Sequence, residues 1–178
     1  VAQRLRSAWL VHDIAEDEAP SYDAALLREL ELLAHEPAAE RFAAWRLLNE
    51  YWRSHSLHSH AERQALLDEA ARVAQATDDL RTLCQIDWDR AVLAAEVGEL
   101  EPAFAWLESA RAASVRAGHR RELATSFEIA AGLALDHGAL ERCAEFLRQG
   151  EEVIAGRGFP DKDVGLAHLR LRLASAAA

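Results

Sequence analysis

The side chains of this chain with the chemistry to hold or transform something are its tryptophans, its histidines and a surplus of carboxylates. His55, His58 and His60 fall together in Ser-His-Ser-Leu-His-Ser-His at 54–60, and imidazoles at that spacing could share a cation. No cysteine or carboxylate close in sequence completes a tetrahedral set, so the segment reads as a solvated polar connection. His12, His35, His119, His137 and His168 are scattered, most of them near predicted helix ends, where the negative end of the helix dipole or a cap accounts for them. Carboxylates crowd at Asp13 to Glu18, at Asp78-Asp79 and at Asp87 and Asp89. With 30 acidic residues in 178, close pairs arise by chance, and no nucleophile or oxyanion donor accompanies them. They are therefore assigned to solvated faces, with Asp87 or Asp89 placed to pair with Arg90 or Arg81. Ser114, Ser126 and Ser175 lie in mid-helix without an elbow motif. Neither G-x-x-x-x-G-K-[ST] nor G-x-G-x-x-G occurs, so no phosphate loop is expected. The expectation is a non-enzymatic chain with no catalytic residue, cofactor or metal.

Composition narrows the class. Hydrophobic residues make up 51% and charged residues 28%, which fits a folded globular chain, and 178 residues suffice for one core without disulfides or metals. Alanine leads the apolar set, with only 8 glycines and 4 prolines, so helix is favoured throughout. The formal charge of −10 opposes direct nucleic-acid or anionic-membrane binding. Cys84 and Cys143 sit at apolar helical positions and read as reduced core residues. No apolar run is long enough to span a bilayer, the first residues lack a signal-peptide core, and a cytoplasmic location is expected. The chain has no methionine, which fits a fragment of a longer polypeptide.

The elements that must position these side chains come from an internal repeat with a period of about 40 residues. Gly98-Glu-Leu-Glu and Gly138-Ala-Leu-Glu are separated by one period, as are Gly118 and Gly158. Leu26-Leu27, Leu66-Leu67, Trp106-Leu107 and Phe146-Leu147 keep the same register, each a bulky pair in mid-helix. Ala103 matches Cys143, Ala110 matches Gly150, Ala91 matches Ala131 and Ala94 matches Ala134, so small residues recur where helices must approach closely. Apolar residues at three- and four-residue spacing make the elements amphipathic helices. These are predicted near 2–15, 21–35, 38–54, 61–76, 79–97, 100–117, 120–137, 139–156 and 162–176. Pro20, Pro37, Pro102 and Pro160 mark starts, and Gly98, Gly118, Gly138 and Gly158 mark ends. Asp78, Asp79 and Asp161 are placed as caps or first-turn carboxylates.

The run from Ala61 to Gly158 resembles tetratricopeptide repeats of the longer kind found in large bacterial regulators, including LuxR-type activators responsive to maltotriose and cyclase-linked ATPases. Ala131 stands at the small position of a first helix and Ala134 in place of its usual aromatic, Cys143, Leu147 and Gly150 fall on the alanine, aromatic and alanine positions of a second helix, and the preceding unit matches similarly through Ala91, Gly98, Ala103, Leu107 and Ala110. The period of about 40 in place of 34, and the missing unit-ending proline, favour the regulator type over a plain scaffold. The resemblance covers roughly residues 40–160. It implies an all-α, right-handed α-solenoid of about four antiparallel helix pairs, eight or nine helices in one domain over 1–178. It also implies a sensing or interaction module of a bacterial transcriptional or signalling regulator, with a stand-alone interaction scaffold as the alternative.

In that register the groove-facing positions of successive first helices fall on Trp45, Leu48, Trp52 and His55, then Gln85, Trp88, Val92 and Glu96, then Thr125 and Glu128, then His168 and Arg172. Aromatics interspersed with carboxylates and amides would suit a protein, peptide or small-molecule effector in a concave groove. Packing between helices is the competing reading, because amphipathic bulk fills wide gaps in Ala-rich interfaces. Trp9 and Trp106 are assigned to the core. The last segment, Leu166-Ala-His-Leu-Arg-Leu-Arg-Leu-Ala-Ser-Ala-Ala-Ala178, is apolar where a terminal repeat normally needs a polar cap, which points to truncation or to self-association through the C-terminal helix.

Overall fold

The structure, a computed structural model, describes residues 40–53, 58–156 and 158–177. The predicted helices near 2–15 and 21–35, with Trp9, Leu26-Leu27, Pro20, Pro37, His12 and His35, lie outside them, as does His55. Seven helices and no strand occupy the described residues: α1 (Glu40–Arg53), α2 (His60–Ala76), α3 (Leu80–Glu96), α4 (Leu100–Ala117), α5 (Arg120–Asp136), α6 (Leu140–Ile154) and α7 (Pro160–Ala176). Each begins and ends within two residues of its predicted bounds. The closest partnerships are α1 with α2, α3 with α4 and α5 with α6, so the helices pack in pairs. The odd-numbered helices also touch one another, α1 on α3, α3 on α5 and α5 on α7, and form a continuous row.

The turns set this arrangement. The N-caps of α2 to α7 are Ser59, Asp79, Glu99, His119, Ala139 and Phe159, evenly spaced along the chain, so one sequence repeat is two helix-turn steps. Four connections close identically. The amides of Asp79, Glu99, His119 and Ala139 donate to the carbonyls of Ala74, Ala94, Ser114 and Ala134 at 2.8–3.0 Å, each reaching back five residues. That bond needs a left-handed residue just before the donor, the geometry of a Schellman cap. Gly98, Gly118 and Gly138 supply it at φ of 70–83°, and Asp78 takes the same position at φ 50°. Asp78 is thus a helix-ending residue, whereas its neighbour Asp79 caps α3, accepting from the Thr82 amide at 3.1 Å.

Small residues do at the crossings what their spacing predicts. Ala91, Ala131, Ala134, Ala103, Cys143 and Ala110 have no exposed surface, and Ala94 and Gly150 are buried beside them. In each bulky pair the second member is fully interior (Leu67, Leu107, Leu147), while Leu66, Trp106 and Phe146 pack from the edge. Helix α3 belongs to two clusters. Ile86 and Leu93 join Leu48, Tyr51 and Leu67 toward α1 and α2, whereas Cys84, Trp88 and Ala91 join Phe104, Leu107 and Ala110 on the other side. In α7, Val164 and Leu171 are each 70% exposed, although their counterparts one repeat earlier, Ala124 and Ala131, are fully buried in the core.

Two substitutions measure these constraints. Asp78→Gly removes the steric cost of a left-handed aspartate and gives up only a 4.0 Å exposed contact with Arg116, so chemical denaturation should show a gain of about 0.5–1 kcal/mol. Gly150→Ala puts a Cβ 3.2 Å from the Phe127 Cβ and 3.1 Å from Leu166. Helix propensity alone favours alanine by about 1 kcal/mol, yet overpacking of this kind costs about 1–3 kcal/mol, so a net loss of stability is expected.

Candidate functional site

The row of odd-numbered helices carries the side chains singled out by the repeat register, and the structure sorts them into three groups. Trp45 and Trp52 lie seven residues apart on α1, two turns along one face, and their rings meet edge to face at 5.1 Å and 77°. Both are half-buried. The Trp52 indole N–H donates to Asp89 Oδ2 of α3 at 3.1 Å, and the Gln85 side chain bonds the same carboxyl from one turn earlier. Val92 (38% exposed) and Glu96 continue this face of α3. Glu96 receives a forked pair of bonds from Arg63 of α2, at 2.5 and 3.3 Å.

The second group belongs to the interior, which corrects the sequence-derived face. Leu48 has no exposed surface and sits in the α1–α2–α3 core. Trp88 is 8% exposed, and its indole N–H donates to Ser126 Oγ of α5 at 2.7 Å. Neither offers surface to a ligand. The stripe of α3 that reaches the surface is Gln85 and Asp89, both partly buried, with Val92 and Glu96 exposed, displaced by one residue from the predicted one at its second position. The packing alternative is therefore the right one for Trp88, because the Ala-rich crossing between α3 and α5 leaves room for an indole. Trp106 packs at the edge of the core with the Arg90 guanidinium 4.5 Å above its ring, and Arg90 also meets Asp87 and Asp68 at 3.5 and 2.6 Å.

The third group lies toward α5 and α7 and is ionic. Glu128 holds Lys162 at 2.8 Å, Asp136 holds Arg172 at 2.7 Å, Arg121 holds Asp161 at 2.8 Å, and Arg81 of α3 meets Glu122 at 3.1 Å. Thr125 Oγ1 donates to the Arg121 carbonyl of its own helix at 3.0 Å, and His168 is exposed on α7. The structure therefore brings Trp45, Trp52, Gln85, Val92 and Glu96 to one place. Thr125, Glu128, His168 and Arg172 stay at the other end of the row.

Asp89 is the member the sequence reading missed, having given it to a solvated face. The signal available was its spacing: four after Gln85 and three before Val92, it shares their helix face. Burial raises its carboxyl from the usual aspartate range to about 7, against the lowering effect of the Trp52 and Gln85 hydrogen bonds. Among the described residues no cation pairs with it. Burial, reinforced by the Asp89 charge, also pushes the nearby Tyr51 hydroxyl up to about 12.

Other chemistry does not converge here. Cys84 and Cys143 are buried free thiols with raised pKa values caused by burial, and Cys84 bonds the Ala110 carbonyl at 3.4 Å. Among the described residues no three His, Cys, Asp or Glu side chains gather as a metal site. The His60 ring lies 3.2 Å from the Leu93 carbonyl, and Ser59 forms a reciprocal cap with Glu62, which explains why the polar connection ends where it does. Among the described residues no helix is long and apolar enough to cross a membrane. Comparison of the chain with protein-family models, curated proteins and solved structures finds no match.

The raised Asp89 pKa fixes a pH signature. Between about pH 4 and 7 the folded chain keeps a proton that the unfolded chain has lost, so stability falls as pH rises through that window, by at most about 1.4 kcal/mol per unit, and is flat above it. Asp89→Asn lacks this penalty. The difference in Tm between Asp89→Asn and the native chain should therefore shift in favour of the variant from pH 5 to pH 7 and stay constant from pH 8 to 9.

Proposed function

We propose that this chain is a tetratricopeptide-like, right-handed α-solenoid that serves as the cytoplasmic sensing module of a bacterial regulator, with the face shared by α1 and α3 as its effector site. The observation that carries the reading is the grouping of Trp45, Trp52, Gln85 and Asp89. Two half-exposed indoles provide flat apolar area at low entropy cost, and beside them stands a carboxyl without a cationic partner among the described residues. Indole faces and an unpaired carboxylate together favour a cation on an apolar body, through cation–π attraction and a charge-assisted hydrogen bond. The effector class that fits is an amine-bearing small molecule or a peptide presenting a basic group.

The row geometry supports transmission as well. Each odd-numbered helix touches the next, so a ligand wedged between α1 and α3 bears on the contact between two neighbouring pairs. In a stack of repeats a small change in that contact alters the curvature of the whole.

Tryptophan fluorescence tests the site directly. In a screen of aliphatic and aromatic amines, basic peptides and their neutral analogues, the cationic members should shift the emission. Trp52→Phe and Asp89→Asn should each weaken the response about tenfold or more while circular dichroism stays native. Affinity should also rise from pH 6 to pH 8 as Asp89 ionises. Equal binding of neutral analogues, or an undiminished response in both variants, overturns the assignment. A reading frame encoding neither an ATPase module nor a helix-turn-helix segment beside these repeats overturns the regulator role and leaves a plain interaction scaffold.

A further inference from the structure

A second surface stands apart from the α1–α3 face. Helices α4, α5 and α6 bound a hollow of about 800 Å³ that is wide open to solvent. Its floor is apolar, made by Val115 (65% exposed), Leu123 and Phe127, and Arg111, Arg116 and Arg120 stand around it. In a chain of net charge −10 this is a local concentration of positive charge. Two glutamates also line it, but Glu108 is engaged by Arg111 and Glu152 by Arg148. Arg116 has only a 4.0 Å contact with Asp78, and Arg120 forms no ion pair among the described residues.

Arg111 is the residue that sets this hollow apart from ordinary surface. It is more than nine-tenths buried, with its guanidinium 5.0 Å from the Phe127 ring centre and 5.5 Å from that of Phe146. One edge pairs with Glu108, while Nη1 is buried with no hydrogen-bond partner. A buried donor without an acceptor costs about 1–3 kcal/mol, and this guanidinium keeps hydrogen-bonding capacity that Glu108 does not use. The feature is not a by-product of the repeat. One repeat earlier, Ala71, Ala76 and Leu80 replace the three arginines, and Asp87 stands where Phe127 does.

We propose that this hollow docks an acidic amphipathic segment of a partner protein, its apolar side chains on Val115, Leu123 and Phe127 and its carboxylates on Arg111, Arg116 and Arg120. Charge complementarity selects an acidic partner, and the apolar floor requires aliphatic or aromatic residues beside the acids. The width of the opening selects a peptide over a free small acid, because small ligands are held in clefts that enclose most of their surface. The site does not depend on the effector reading for α1 and α3.

The test is fluorescence anisotropy with a fluorescein-labelled amphipathic peptide carrying Leu and Phe on one face and glutamates flanking them. Its controls are the same peptide with glutamine in place of glutamate, and free octanoate. The acidic peptide should bind, more weakly as salt rises, and the neutral peptide should bind at least tenfold more weakly. Arg116→Glu combined with Arg120→Glu changes only exposed positions and should weaken binding at least tenfold with unchanged thermal unfolding, as should Val115→Asp alone. Asp89→Asn should leave peptide binding unaltered. The proposal is overturned if the neutral peptide binds equally well, if the charge-reversed variant keeps its affinity, or if octanoate binds as tightly as the peptide.

Discussion

Close approach of helix backbones at residues with almost no side chain is the constraint on which the other features depend. Ala94 and Ala134 show why, since each is buried at a helix crossing and each also supplies the carbonyl that closes the following turn. One small residue thereby fixes both how near the next helix lies and where the current one ends. Because the same closure recurs at every half-repeat from Asp79 to Ala139, successive helices leave their turns at the same phase. Side-chain caps are then secondary: Ser59 and Asp79 bond the first turn of their helices, whereas Glu99, His119, Ala139 and Phe159 cap without side-chain bonds. Turn geometry, not capping chemistry, starts most of these helices.

Alanine crossings bring backbones close but leave uneven gaps at the ends of each crossing, and polar or mixed side chains fill them. Trp88 reaches Ser126, Cys84 reaches Ser114 at 3.3 Å, and Arg90 and Arg111 lie against aromatic rings with carboxylates at their other edges. Every such group must find a partner, since burial without one is costly. Most do so within their own pair of helices or the next. Arg90 Nε and Arg111 Nη1 do not, and around Arg111 the surroundings supply one carboxylate where the fork can serve two.

The fold was legible because its rules are local. A constant offset in glycines, small residues and bulky pairs is visible without any knowledge of long-range contacts, and the helix bounds followed from it. The half-period was harder to see, because Asp78 occupies a glycine position and no residue type marks every N-cap. Facing was less legible than position. A helical turn of 3.6 residues places 88 and 89 on either side of a boundary between interior and surface, and the choice depends on what α5 offers opposite. Ser126 supplies an acceptor for an indole there, which no reading of α3 alone could reveal.

The two ends of the odd-numbered row solve the same electrostatic problem in different ways. Between α5 and α7 three carboxylates meet cations of the facing helix, in Glu128–Lys162, Asp136–Arg172 and Asp161–Arg121. Such partly exposed pairs add little stability, but each neutralises the charge it involves. Between α1 and α3, Asp89 meets an indole N–H and an amide instead, and neither donor cancels the cost of burying an anion, so its carboxyl is held near neutrality. A cation from α1 opposite Asp89, in the manner of Lys162 opposite Glu128, would have removed that cost, and tryptophan stands there instead. A stack selected for stability alone would gain from the lysine. The aromatic choice leaves the carboxyl without a counter-ion among the described residues, and that is the physical basis of the effector site proposed between α1 and α3.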